Sequence, residues 1–420
     1  MPWKETQVMD QRVEFAMRAV GCVNFGALCR EYGISRKTGY KWRERFVAHG
    51  LAGMAEESRA PRGHAGRLGE EVVCAMVALK VAHRHWGPRK IRELYARKHK
   101  GAALPSESSF KRVLARAGLT VRRKVRPSKK CGRISSGRKA NAPSEVWSVD
   151  FKGSWNGQGG ERVEPLTVRD EYSRFVLDIR LLANSRTESV RAAFERLFEL
   201  HGLPEAIRSD NGTPFASTQS VLGLSRLSAW WLALGIDLER SRPGCPQDNG
   251  AHERLHLDIR RELEAGRMGR DQHAFDLWRE EFNRERPHEA LAMATPAEIY
   301  HPSQRLYNGT PEALDYGAMS TRQIDQYGKL RYHGEQITIS SALARWNVGI
   351  APQEDGRVEI WFAHLLLGHI DPQTAAFNPI QRSCHDSGAH GRGADYATLH
   401  RPLDHRRENN IAFTQNPCHP

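Results

Sequence analysis

Three acids, Asp150, Asp210 and Glu253, are the residues whose type and setting suit chemistry. Asp150 falls in WSVDFKG, an alternating stretch that reads as a strand. Asp210 ends the strand-like EAIRSD and runs straight into Asn211-Gly212, a turn signal. Glu253 lies in the first turns of the helical pattern DNGAHERLHLDIRRELEAG. Acids this distant in sequence can meet at one sheet edge, where they repel unless a cation neutralises them. Oxygen ligands suit Mg²⁺ or Mn²⁺. Two such ions about 3.5–4 Å apart can activate a water or a 3′-hydroxyl at a phosphodiester. Taken singly, each acid fits a solvated strand end or loop equally well. Three at successive element ends, in a basic chain, favour the metal reading. Asp248 and Glu262 rival Glu253, but Asp248 suits a helix N-cap and Glu262 lies more than two turns on.

The elements around the acids follow an α/β order. SEVWSVDFKG, RVEPLTVRD and RFVLDIRLL read as three strands, the last two joined by the turn DEYS. TESVRAAFERLFELHG is a helix closed by Gly202. EAIRSD and IDLERS are further strands, with the helical SRLSAWWLALG between them. The helix bearing Glu253 comes last, with Ala251, Leu255, Ile259 and Leu263 at steps of four. This core is assigned to residues 143–305.

Residues 10–50 form a helix-turn-helix pattern. Gly33 marks the turn, Ser35 caps the second helix, and Arg36, Lys37, Thr38, Lys41 and Arg45 would face a DNA groove. A solvated charged helix is the bland alternative. Residues 67–118 read as a second helical DNA-binding unit, winged or not, with a dimerising or spacer bundle as the alternative. Segment 119–142 is a basic linker: residues 121–140 alone hold nine Lys or Arg and no acid. Short strands with turns at His333-Gly334 and Asp355-Gly356 predict a small β-barrel over 318–372. Residues 375–420 lack periodicity and are expected to be a disordered tail.

The 420 residues carry a formal net charge of +14, which favours a polyanionic partner. No apolar run is long enough for a transmembrane helix, and the first residues lack a signal-peptide core. Nucleic acid is therefore preferred to a membrane. Seven scattered cysteines without a C-x-x-C pair indicate reduced thiols rather than a zinc finger.

WSVDFKG, RSDNGTPF, SRPGCPQDNGAHERLH and the later NRERPHEALAMATPAEIYHPS together resemble bacterial insertion-sequence DDE transposases, whose catalytic core is similar to that of retroviral integrases. The resemblance implies a multidomain protein. It comprises a helical helix-turn-helix region, an α/β ribonuclease H-like core and a small all-β, SH3-like module. It implies that Asp150, Asp210 and Glu253 are the catalytic, metal-binding triad, holding two Mg²⁺ or Mn²⁺ ions. The separation between the last two acids exceeds that of compact members, the surplus falling in ASTQSVLGLSRLSAWWLALG. Arg260, seven positions after Glu253 and on the same helix face, would meet the DNA end, while Asn211 and Gly212 shape the approach. His252 and His256 read as DNA-facing or solvated, not as ligands. The implied partners are double-stranded DNA and further copies of the chain, at least a dimer on DNA. The implied setting is cytoplasmic and nucleoid-associated in a bacterium. The expected activity is cleavage at element ends and strand transfer. The alternatives are a catalytically inactive DNA-binding regulator and a nuclease without joining activity.

Overall fold

The computed structural model describes residues 8–56, 68–120, 137–157, 159–242, 250–264, 270–371 and 373–380. Most of the basic linker, Asp248 and the tail beyond 380 lie outside the described residues. The chain divides into two compact units, Met1–Glu70 and Glu71–Pro420.

The first unit contains α1 (Val8–Val20), α2 (Phe25–Glu31) and α3 (Arg36–His49). Phe15, Ala19, Leu28, Cys29, Trp42 and Met54 form its core. Gly33 makes the turn in the left-handed region, at φ 64°, where a side chain would be strained. The Ser35 hydroxyl then accepts the Thr38 amide at 3.2 Å, fixing the start of α3.

The second unit opens with α4 (Glu70–Ala82), α5 (Pro88–Lys98) and α6 (Glu107–Arg116). No strand occurs between residues 68 and 120. Pro88 occupies the first turn of α5, where its missing N–H is not needed. The central sheet follows, built from β1 (Val146–Phe151), β2 (Trp155–Asn156), β3 (Arg162–Asp170), β4 (Val176–Leu182), β5 (Ala206–Ser209) and β6 (Asp237–Arg240). The sheet runs β2-β3-β1-β5-β6, with β4 also paired to β3. β1 is antiparallel to β3 and parallel to β5, which is parallel to β6. Asp170 closes the turn between β3 and β4 by accepting from the Ser144 and Ser173 amides and the Ser173 hydroxyl.

Helices cover both faces of the sheet. α7 (Thr187–His201) and α8 (Arg226–Ala233) pack on Trp147, Val149, Leu166, Val168 and Ile207. α9 (Gly250–Ile259) and α10 (Gln272–Arg284) cover the other face, where Leu255, Ile259, Leu263, Phe275 and Trp278 meet Val163, Val176 and Ile179. A wider π-turn over Arg260–Glu264 ends α9. The surplus before β6 is a loop bridged at Ala216 and Leu224, followed by α8.

The α4–α6 unit is fixed to this core. His83 Nδ1 lies 2.8 Å from Glu281 on α10. Arg89 reaches Glu289 at 3.1 Å, and Arg97 reaches Glu298, on α11 (Pro296–Ile299), at 2.8 Å and the Met293 carbonyl at 2.9 Å.

The C-terminal strands are β7 (Ser320–Gln323), β8 (Lys329–Tyr332), β9 (Glu335–Thr338), β10 (Asn347–Pro352), β11 (Val358–Phe362), β12 (Leu365–Ile370) and β13 (Phe377–Pro379). They form a five-stranded antiparallel sheet, ordered β13-β12-β11-β10-β7, and the hairpin β8-β9. Their apolar core, including Ile324, Leu343, Ile350 and Phe362, is continuous with the α7–α8 layer.

Candidate active site

β1, which carries Asp150, and β5, which leads to Asp210, are parallel neighbours. Ser148 on β1 pairs in parallel with Arg208 on β5. Alternate residues of a strand share a face, so Asp150 lies on the same side of β1 as Ser148, while Asp210 follows the end of the neighbouring β5. Asp210 lies just past the end of β5, and its Oδ1 accepts the Gly212 amide at 3.1 Å. A Cβ at position 212 would stand 3.0 Å from Asp210 Oδ2, so another residue there would displace that carboxylate by a few tenths of an ångström. Asn211 donates to the Ser241 carbonyl at 2.7 Å and ties the turn to the end of β6. Both residues therefore shape the loop that holds Asp210.

Glu253 is exposed in the first turn of α9, on the helix that crosses this polar face. Arg260 is exposed where the π-turn begins. Glu262 is removed from the site: it accepts from Trp278 Nε1 at 2.8 Å and pairs with Arg286 at 3.2 Å.

His252 corrects the sequence reading, because it is fully buried rather than solvated or DNA-facing. Its Nε2 lies 2.8 Å from Ser148 Oγ and its Nδ1 3.2 Å from Thr167 Oγ1. His256 Nε2 lies 2.9 Å from the same Thr167 hydroxyl, which also donates to the Asp150 carbonyl at 2.9 Å. Burial, then Arg169 and His256, push His252 down to about 3. Burial, then Lys152 and Arg260, push His256 to about 4. Both imidazoles are thus neutral at pH 7.

Among the described residues, Asp150, His252 and His256 are the group whose ligand atoms lie within 4.8 Å of one another; Asp210 and Glu253 are not members. The hydrogen bonds of His252 already engage both ring nitrogens. Carboxylate oxygens such as those of Asp150 suit a magnesium-type ion better than imidazoles do.

A charged row lies beneath the acids. Arg169, Ser148, Arg208 and Glu239 are register partners on β3, β1, β5 and β6. Arg208 pairs with Glu239 at 2.7 Å, and Arg169 and Arg208 approach Glu171 at 3.6 and 3.7 Å. Burial would raise the Glu171 carboxyl, but Arg169, the Ser148 hydroxyl, His252 and Arg208 hold it down to about 2. Sequence reasoning missed Ser148, Thr167 and Glu171. A strand covered on both faces is ordinarily apolar throughout, so Ser148, Asp150, Thr167 and Arg169 on central strands were the available signal.

Of the expected DNA-facing residues on α3, Arg36, Lys37 and Lys41 are exposed and Thr38 and Arg45 partly so. Lys41 and Arg45 stack on the Trp42 ring at 4.7 and 5.4 Å from its centroid. No helix among the described residues is long and apolar enough to cross a membrane.

Comparison with known proteins agrees with this architecture. Profiles of an integrase core domain match residues 140–246 and 234–296. A helix-turn-helix domain matches 11–62, a homeodomain-like domain 38–114, and the C-terminal domain of IS481 family transposases 319–378. An uncharacterised 31.7 kDa protein of insertion element IS407 from Burkholderia multivorans is 30% identical over 236 residues, 55% of this chain and 81% of the relative. An uncharacterised 39.2 kDa protein of insertion element IS476 from Xanthomonas euvesicatoria is 26% identical over 244 residues, 56% of this chain and 67% of the relative. The HTLV-2 integrase catalytic core domain, solved in complex with magnesium, aligns over 39% of this chain and 100% of its own, at 17% identity and a TM-score of 0.31. With an integrase core behind a helix-turn-helix region, and likeness across most of the Burkholderia protein, the chain belongs to the insertion-sequence transposases with a retroviral-integrase-like core.

Proposed function

We propose that the protein cleaves a phosphodiester at the ends of an insertion sequence and joins the resulting 3′-hydroxyl to target DNA. The reading is supported by β1 and β5 being parallel neighbours, with Asp150 near the end of the first and Asp210 just past the second, and by α9, which carries Glu253, lying on the face of Asp150. Two Mg²⁺ or Mn²⁺ ions, held by Asp150, Asp210 and Glu253, would supply nucleophile activation and charge stabilisation at phosphorus. The chain's own groups bind and orient the DNA. Arg36, Lys37, Thr38, Lys41 and Arg45 on α3 enter the groove of the element end, and Arg260 holds backbone near the acids. The Gly212 amide aims the Asp210 carboxylate, and Asn211 holds its loop. Acting on two ends requires at least two copies of the chain on DNA. The C-terminal strands act as an SH3-like module for DNA or protein contacts. The setting is the cytoplasm of a bacterium, at the nucleoid.

A catalytically silent DNA-binding regulator is the second reading, favoured by Glu253 standing outside the Asp150 cluster. Strand transfer on a duplex carrying the element's ends, with Mg²⁺, separates the two. Wild type joins 3′ ends to a second duplex and Asp210→Asn does not; equal product from both would refute the triad.

A further inference from the structure

The buried bonds around His252 form a chain in which each donor meets an acceptor. Glu171 is ionised, so it can only accept, and the Ser148 proton is committed to it at 2.5 Å. Ser148 Oγ must then accept from His252, which places that ring's proton on Nε2 and leaves Nδ1 an acceptor. The single Thr167 proton is directed at two acceptors, the Asp150 carbonyl at 2.9 Å and His252 Nδ1 at 3.2 Å. The Thr167 oxygen in turn accepts from His256 Nε2 at 2.9 Å. One direction of donation therefore runs from α9 through β3 and back through α9 to β1 and Glu171. It passes through both ring nitrogens of His252, which has no exposed surface. Arg169 adds a clasp from the sheet by donating to the Ala251 carbonyl at 3.2 Å.

We propose that His252 is a positioning residue, a latch that sets the depth and rotation of α9 on the polar face of the sheet. Ser148 stands two residues before Asp150 on β1, and Thr167 is the register partner of Asp150. Glu253 follows His252 directly. The latch thereby references the third acid of the reading above, on which it rests, to the strand that carries the first. An apolar side chain of similar size would fill the space yet leave the Ser148 and Thr167 hydroxyls without their shared partner. Glutamine, with an NH₂ donor group and a carbonyl acceptor, can restore both bonds.

The test compares wild type with His252→Leu, His252→Gln and Ser148→Ala. In His252→Leu, kcat for strand transfer falls about 10–100-fold while KM for the DNA ends stays within about threefold, as for loss of a group that orients a ligand. His252→Gln recovers most of kcat. The double variant Ser148→Ala/His252→Leu is no slower than the worse single one, because both remove one bond. Hydrogen exchange, read without DNA, shows α9 amides opening about tenfold faster in His252→Leu, with α7 and α8 unchanged. Unchanged α9 protection overturns the latch whether or not the protein transfers strands. So does a loss of kcat matched by lost DNA affinity, or one that His252→Gln fails to repair. Wild-type inactivity with faster α9 exchange in His252→Leu would instead refute the transferase reading and keep the latch.

Discussion

The two faces of the central sheet use the same strands for opposite ends. On the α7–α8 side, Trp147, Val149, Leu166 and Ile207 are buried against Phe194, Phe198, Trp230 and Trp231. On the α9 side, one residue out of phase, stand Ser148, Asp150, Thr167, Arg169 and Arg208; Ser148, Thr167 and Arg169 bond to α9, Thr167 also to the Asp150 carbonyl, and Arg208 pairs with Glu171 and Glu239. Burial of large aromatics is non-directional and worth several kcal/mol per side chain. Hydrogen-bonded and ionic rows add little net stability but are costly to break singly. The apolar face thus supplies most of the stability, and the polar face fixes how α9 sits on the sheet.

Three substitutions separate the roles of the two faces. Asp150→Asn carries the largest expected effect: strand transfer falls by about 10³-fold or more, with little change in thermal midpoint. A midpoint that dropped as far as for a core truncation would make Asp150 a structural residue and erase the distinction. Trp231→Ala should do the reverse. It costs about 3–5 kcal/mol in denaturant unfolding, because the ring is fully buried between Phe194 and Phe215. A loss below about 1 kcal/mol would mean that the face is not packed as described. Glu171→Gln gives the smallest change, about 1–3 kcal/mol at pH 7, through the ion pairs with Arg169 and Arg208. The folded carboxyl titrates near 2, below its ordinary 4.5. Its contribution is therefore complete above pH 4.5 and is lost as pH falls through 4.5 toward 2. The stability gap between wild type and Glu171→Gln should close over that window, and a gap constant down to pH 2 would deny the pairing.

Much of this was readable in the residues. The alternation of Val146–Phe151, the cap at Ser35, Pro88 at the start of α5 and Gly202 at the end of α7 each depend on neighbours a few positions away. The reading failed at His252, because a histidine in a polar stretch next to an acid carries no local sign of burial. Nor did the sequence show that α4–α6 is fixed to the core through Glu281, Glu289 and Glu298, since those ion pairs join residues about two hundred positions apart.

By itself the sequence determined the order of strands and helices, the basic helix-turn-helix and the three acids at element ends, because periodicity, caps and charge are properties of short windows. Tertiary structure alone decided that β1 and β5 lie side by side, and that His252 turns inward while Glu253 turns out. Sheet register and helix rotation are fixed by pairings between distant segments, and a one-residue slip in either would exchange the two faces.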